Sequence, residues 1–445
     1  MYAQATIKPN TLFRNGAYGI VMRGVQKCTC AGASLRGRNS TPLCCIKLDT
    51  ATDIACGSGV FLEEVFQYLQ SYCVEWYLEN NKSHLIEIDN GGYKLPLKEK
   101  KNLLCSCIYG VDIDIHAVEV AKFSLLIKLI ENETAPSVKA VTPILPDLST
   151  NILHGNSLVS NAELKGIKCT DDQLVEIVPF NWDELEADGF DAIVGNPPYV
   201  TTEDIHSLIP APEFDIYKKK YKTAHKQFDK YFIFLERALQ KVKESGYVCY
   251  IVPNKFFKIG AGAKLRDYIA KEKYLVSLDD FGAAQLFEDK TIYSSIILMQ
   301  KKAQENFKYT NVDSANNLWL GNLTDSIELN SSLLDELPWK LTSDFEFLEI
   351  LKKIEPVSAP LNFFAEIFNG IQTSAERPQP IYWFSGEEII SEDDDTITVK
   401  KDGKVYSIEK KMEKSHLLFL RRYFKLYMLK TCVFSSRISY RRLHF

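Results

Sequence analysis

The sequence predicts an α/β protein built on a doubly wound, mostly parallel sheet, followed by a smaller C-terminal domain. Two observations carry this. From about residue 50 to about residue 300, short apolar runs of strand length alternate with amphipathic stretches of helical period. Strands alternating with helices at that spacing give a parallel sheet with helices on both faces. Beyond about residue 305 the alternation fades into a Gly-, Pro- and aromatic-rich stretch at 368–384, an acidic one at 387–395 and a basic end. The expected organisation is an irregular segment over 1–48, an α/β catalytic domain over 49–305 and a second domain over 306–445.

Residues 1–48 scatter glycine, serine and basic side chains, and no apolar period lasts long enough for a helix. Strands are expected at 108–113, 151–154, 190–194, 247–252 and 294–299, and helices at 60–78, 116–130, 229–244 and 263–271. Further helices are read at 326–337 and 342–353. Sheets of this kind bind ligands beyond the carboxyl ends of their strands, where the strand order reverses. The chemistry is therefore expected in the loops that follow the strands.

Several classes are excluded by composition. No run of 18 apolar residues occurs, so no membrane span is expected, and the start MYAQATIKPN lacks the features of a secretory signal. Eleven cysteines without a regular framework point to a reduced, cytoplasmic chain. Cys28, Cys30, Cys44 and Cys45 cluster, but C-x-C and C-C are not zinc-ribbon spacings, and no metal is expected.

Three segments carry chemistry. In Asp53-Ile54-Ala55-Cys56-Gly57-Ser58-Gly59, a glycine-rich turn leads into a helix and lets a ligand approach the backbone and free N–H groups. A purely structural turn would read the same way. In Gly110-Val111-Asp112-Ile113-Asp114, an acid at the end of the second strand suits a ribose diol, and Asp114 suits a helix N-cap. The third is Asn196-Pro197-Pro198-Tyr199, after an apolar strand and Gly195. By average composition that tetrapeptide is a roughly one-in-a-thousand event in such a chain. An exocyclic aromatic amine is a poor nucleophile because its lone pair is delocalised into the ring. The Asn196 side-chain carbonyl and the Pro197 backbone carbonyl can accept its two N–H bonds and draw the nitrogen toward tetrahedral geometry. Proline adds no competing donor, Pro198 stiffens the turn, and Tyr199 can stack on a base taken out of its duplex.

These segments, with Gly155-Asn156-Ser157-Leu158 between them, resemble the S-adenosylmethionine-dependent DNA N6-adenine methyltransferases. The likeness is to the gamma arrangement of type II and IIG restriction–modification systems, with the catalytic domain before the target-recognition domain. The resemblance implies a Rossmann-like methyltransferase sheet, S-adenosylmethionine as cofactor and double-stranded DNA as substrate. It also implies a restriction endonuclease or specificity subunit as a further partner. It implies that Asp53, Ala55, Cys56, Gly57 and Gly59 wrap the methionine part of the cofactor, that Asp112 binds the ribose, and that Ile113 lies against the adenine. Many members carry an aspartate that reads the adenine amino group where this chain has Asn156, whose amide oxygen can still accept that hydrogen bond. Phe234 stands where the family places a second ring against the adenine; it also fits the apolar face of a helix. Phe287, with Tyr293 in reserve, is the candidate to pack on the flipped adenine opposite Tyr199, and either also fits a core aromatic. Gly370-Ile371-Gln372-Thr373 resembles the start of a recognition domain.

Two readings compete with a DNA adenine methyltransferase. Asn-Pro-Pro-Tyr also serves glutamine and guanine amines, so an RNA or protein N-methyltransferase is one. An inactive or truncated remnant that binds DNA or a partner is the other. Charge bears on both. The net charge of −5 is an average: 411–445 carries nine Lys/Arg against Glu413, 1–52 carries seven against Asp49, and 53–410 sums to −19. Lys218, Lys219, Lys220, Lys222, Lys226 and Lys230 follow the tyrosine and are candidates for the DNA backbone track, or for a solvated face. The family usually has helices and a Thr-Pro segment before the glycine-rich loop and a longer recognition domain. Both ends of this chain are therefore expected to be abnormal, through truncation or a reading-frame change.

Overall fold

The computed structural model describes residues 50–88, 91–139, 141–185, 188–285, 292–312 and 326–359, together with short strands between 382 and 433. The cysteine cluster, Thr41-Pro42, Phe287, 370–373 and nearly all of 411–445 lie outside the described residues. The chain divides into two units between residues 350 and 351.

The first unit is a nine-stranded sheet. Its strands are β1 (Ala51–Asp53), β2 (Ile108–Asp112), β3 (Ile152–His154), β4 (Phe190–Gly195), β5 (Val242–Pro253), β6 (Leu275–Gln285), β7 (Tyr293–Gln300), β8 (Asn306–Asn311) and β9 (Ser326–Asn330). They lie in the order β9-β8-β6-β7-β5-β4-β1-β2-β3. All neighbours from β3 to β5 pair parallel, whereas β7 runs antiparallel to both β5 and β6. The order reverses at β1, with β2 on one side and β4 on the other, which opens the ligand crevice beyond their carboxyl ends.

Successive residues of β5 show why the sheet is doubly wound. Val248, Tyr250 and Val252 pack into one buried cluster with helices α5 (Lys230–Lys241) and α6 (Ala263–Lys271). Tyr247, Cys249 and Ile251 pack into another with α1 (Val60–Asn80), α2 (Leu97–Cys107) and α3 (Ile115–Ile130). Period-two alternation with apolar residues on both faces means a strand buried on both sides.

The expected helix at 229–244 ends at Lys241, because β5 begins at once with Val242. The expected helix at 326–337 is instead strand β9, followed by a short 3₁₀ turn over Ser331–Leu333. Ser326–Asn330 pairs antiparallel with β8, and the ladder outweighs local helical preference. The sheet therefore runs past residue 305 to Asn330. Helix α7 (Phe345–Ile354) follows.

In the second unit, Ile389–Glu392, Thr396–Lys401 and Lys404–Glu409 form an antiparallel three-stranded sheet. Tyr382–Ser385 pairs with Lys430–Val433, a strand within the tail that the sequence does not reveal.

Candidate active site

Three strand ends converge on the crevice. β1 ends in Asp53, and the loop from Ile54 to Gly59 turns into α1. Gly59 caps that helix at φ 85°, a left-handed conformation, and a Cβ there would sit 2.9 Å from the Ala121 Cβ. Glycine is needed twice over: for the turn, and for the close approach of α1 to α3. No side chain caps α1, whose N-terminus lies at the end of the glycine-rich loop. Backbone hydrogen bonds hold the loop to β2, with Cys56 N–H donating to the Val111 carbonyl at 3.1 Å. Gly57 N–H donates to Asp112 Oδ2 at 2.8 Å.

Asp112 is buried at the end of β2, and its Oδ1 accepts from Asp114 N–H at 2.9 Å. Its carboxylate thus fixes the loops on both sides of the strand end. Asp114 caps α3, accepting from His116 N–H at 2.9 Å, as its position in the sequence suggests. Ile113 is half-buried beside it. Asp53 is also buried, with Oδ1 accepting from Ala55 N–H at 2.9 Å. Burial raises its carboxyl to about 8; the Ala55 hydrogen bond opposes this and the Asp112 charge adds to it. Burial also pushes the Cys56 thiol up, so it is no nucleophile.

Asn196 follows β4 directly. The preceding Gly195 has φ 154°, and a Cβ on it would lie 2.5 Å from Asp53 Oδ1. The glycine lets the β4 backbone press against the Asp53 carboxyl, bringing the Asn-Pro-Pro-Tyr turn against the glycine-rich loop. Pro197 is buried; Asn196, Pro198 and Tyr199 are half-buried. The Tyr199 hydroxyl donates toward Asn196 Oδ1 at 2.5 Å and toward the Ile251 carbonyl at 3.0 Å. Its ring meets Tyr231 edge-on, with centroids 5.9 Å apart. The segment beyond is tied down by Lys230 N–H donating to the Val200 carbonyl at 2.8 Å and by the Thr202 hydroxyl donating to the Phe228 carbonyl at 2.5 Å.

At the end of β3, Asn156 is buried, and its Oδ1 accepts from Leu158 N–H at 3.0 Å. Phe234 is buried in α5, a helix whose residues 230–239 are all buried. Phe287 lies outside the described residues, and Tyr293 is 49% exposed at the start of β7. Of the six lysines considered for the DNA track, Lys230 is ruled out by its burial at 5% exposure. Lys218 is exposed, but its ammonium is engaged, donating to the Lys226 carbonyl at 2.9 Å and lying over the Phe228 ring at 4.7 Å. Lys219, Lys220, Lys222 and Lys226 face solvent.

The sequence reading missed Glu213 and Tyr217, on helix α4 (Ala211–Lys220), where Glu213 accepts from both Asn156 and Tyr217. They sit in a run of charged and aromatic residues with no spacing signature, so only the tertiary fold reveals them. The cradle fits the proposed cofactor. It offers a glycine turn that a Cβ would fill and two buried carboxyls suited to a cationic ligand that carries a ribose.

The chain is similar to known restriction–modification proteins. Residues 106–287 match the family described as Eco57I restriction-modification methylase. Over 371 residues the chain is 41% identical to the type II restriction enzyme and methyltransferase RM.Eco57I of Escherichia coli, covering 82% of this chain and 35% of that protein. It is 32% identical over 114 residues to the type II methyltransferase M.PaeR7I of Pseudomonas aeruginosa, covering 25% of this chain and 19% of the relative. The chain thus spans about a third or less of the length of these relatives. Among solved structures, a nuclease-deletion mutant of the type ISP restriction–modification enzyme LlaGI, in complex with a DNA substrate mimic, matches 77% of this chain and 28% of its own. The TM-score is 0.50 at 12% identity, a likeness of fold. The sheet shares its fold with that restriction–modification enzyme, and residues 106–287 are similar to the Eco57I restriction-modification methylase family.

Proposed function

We propose that this chain transfers a methyl group from S-adenosylmethionine to N6 of an adenine flipped out of double-stranded DNA, as the modification activity of a restriction–modification system with a restriction endonuclease as partner. The observation that carries this is the contact between the two halves of the site. Gly195 seats the Asn196–Tyr199 turn directly on the Asp53 carboxyl at the mouth of the glycine-rich loop.

When bound, the cofactor supplies an electrophilic methyl on a sulfonium. Asp53 and the loop to Gly59 hold its methionine part, Asp112 accepts from its ribose hydroxyls, and Ile113, Asn156 and Phe234 surround its adenine. Asn196 Oδ1 and the Pro197 carbonyl accept both N–H bonds of the target amine and localise its lone pair. Tyr199 stacks on the flipped base from one side and Phe287 from the other. Positioning and electrostatics carry the rate, and no residue forms a covalent intermediate. Lys219, Lys220, Lys222 and Lys226 meet the DNA backbone.

The test is to incubate the protein with labelled S-adenosylmethionine and a mixture of DNA, RNA and protein, beside Asn196→Ala. N6-methyladenine in the DNA digest, lost in the variant, is the expected result. Label on cytosine, RNA or protein would overturn the substrate assignment. Cofactor binding without transfer would replace it with a non-catalytic binding subunit.

A further inference from the structure

Beneath the proposed adenine pocket lies a cluster of buried polar side chains that the mechanism above does not use. Glu213 is 0% exposed. Its Oε1 accepts from Asn156 Nδ2–H at 2.8 Å and from the Tyr217 hydroxyl, while its Oε2 has no hydrogen-bond partner among the described residues. The Lys230 ammonium is buried nearby and attracted to both Glu213 and Asp112, which opposes the lowering of its pKa by burial. A fully buried carboxyl with an orphaned oxygen is costly unless it does something.

Because the glutamate accepts, the Asn156 amide is oriented: its NH₂ faces Glu213, and its oxygen faces the Leu158 N–H at the end of β3. That oxygen has two lone pairs, one taken by Leu158. An amide that donates to an acceptor with anionic character becomes a stronger acceptor at its own oxygen, because linked hydrogen bonds polarise one another.

We infer that Glu213 is a positioning residue for cofactor selectivity. It orients and polarises Asn156 so that the neutral amide presents the acceptor that an aspartate would otherwise supply to the exocyclic amine of the cofactor's adenine. The inference rests on the proposed assignment of S-adenosylmethionine to this crevice. The glutamate acts from a helix 57 residues further along the chain, through Asn156 rather than by touching the ligand.

Titration calorimetry with S-adenosylhomocysteine and with its inosine counterpart tests this, since a carbonyl oxygen replaces the amine in the second ligand. The wild-type protein is expected to prefer the adenine form by tenfold or more, roughly the worth of one strong hydrogen bond. Glu213→Gln keeps the shape and removes the charge. It is expected to weaken the adenine form about tenfold and leave the inosine form unchanged, so the inosine ligand also reports that the site is folded. The exchange Asn156→Asp with Glu213→Gln moves the charge onto residue 156, with the glutamine amide donating to it, and is expected to restore the preference. Equal weakening of both ligands by Glu213→Gln, or no recovery in the exchange, overturns the inference alone. Failure of the wild-type protein to bind either ligand overturns the cofactor assignment with it.

Discussion

At the residue scale, Asp53 gives the site a proton linkage. Burial, with the Asp112 charge in support, holds its carboxyl at about 8, so it is protonated at pH 7. A cation bound at this loop favours the anion, and loading the cofactor therefore releases a proton. Affinity for S-adenosylmethionine is expected to rise with pH, by at most tenfold per unit, and to level off above about 8, where Asp53 ionises unaided. Calorimetry in buffers of differing ionisation enthalpy measures the released proton directly, and Asp53→Asn should abolish both effects. A flat affinity from pH 6 to 8 in the wild-type protein would sink the idea. Tyr199 separates two roles in the same way. Its single hydroxyl proton has two acceptors, Asn196 Oδ1 and the Ile251 carbonyl, so it can turn to Ile251 when the target amine takes the Asn196 oxygen. Tyr199→Phe keeps the stacking ring and should hold methyl transfer to within about tenfold. Tyr199→Ala removes about 1–3 kcal/mol of stacking and should weaken capture of a flipped base by tenfold or more. Fluorescence of 2-aminopurine at the target position reads the difference; equal losses in the two variants would show that the ring does not stack.

At the scale of elements, the sequence exposes what is local and hides what is tertiary. Asn196–Tyr199, the glycine-rich loop and Asp112 are legible because each must sit in a fixed short spacing at a strand end. The helices of α1, α3 and α6 are legible because their apolar period survives in the sequence. β1 has only three residues, yet it is central because parallel strands flank it on both sides. The outer strands β8 and β9 carry alternating polar residues, which leaves Ser326–Asn330 open to a helical reading until its neighbour in the ladder is known. Lys230 reads as one more surface lysine but is buried, because α5 has no solvent face over 230–239. Glu213 and Asn156 become partners only when the fold brings together positions that are distant in sequence. Gly195 is the element-scale hinge between the two halves of the site. Gly195→Ala must place a methyl 2.5 Å from Asp53 Oδ1 at a φ that L side chains rarely adopt. A loss of roughly 1–3 kcal/mol in stability is expected. Thermal melting with and without S-adenosylmethionine should show a lower Tm and no stabilisation by the cofactor. An unchanged, cofactor-responsive Tm would mean that β4 and β1 do not meet as described.

At the scale of the molecule, a net charge of −5 has to be reconciled with the proposed polyanionic substrate. The charges are sorted by position. Asp53 and Asp112 are buried at strand ends, where the proposed cationic cofactor would sit, while Lys219, Lys220, Lys222 and Lys226 stand exposed on the segment that follows the Asn-Pro-Pro-Tyr turn. The field of His225 reflects this local excess: its pKa is lowered by burial and by the charges of Lys226, Lys264 and Lys218. Such a cluster attracts phosphates whatever the total charge of the chain, because screening at physiological ionic strength cuts off the acidic remainder beyond about 8 Å. Binding to duplex DNA should therefore weaken steeply with salt, each phosphate contact contributing about 0.9 to the slope of log affinity against log salt. Replacing the four lysines with glutamine is expected to reduce that slope by about 3 to 4 and to leave calorimetric affinity for S-adenosylmethionine unchanged, since none of them touches the crevice. If the slope survives the replacement, the DNA track runs elsewhere on the molecule. If cofactor affinity falls as well, the lysines support the fold of the crevice rather than the phosphate track.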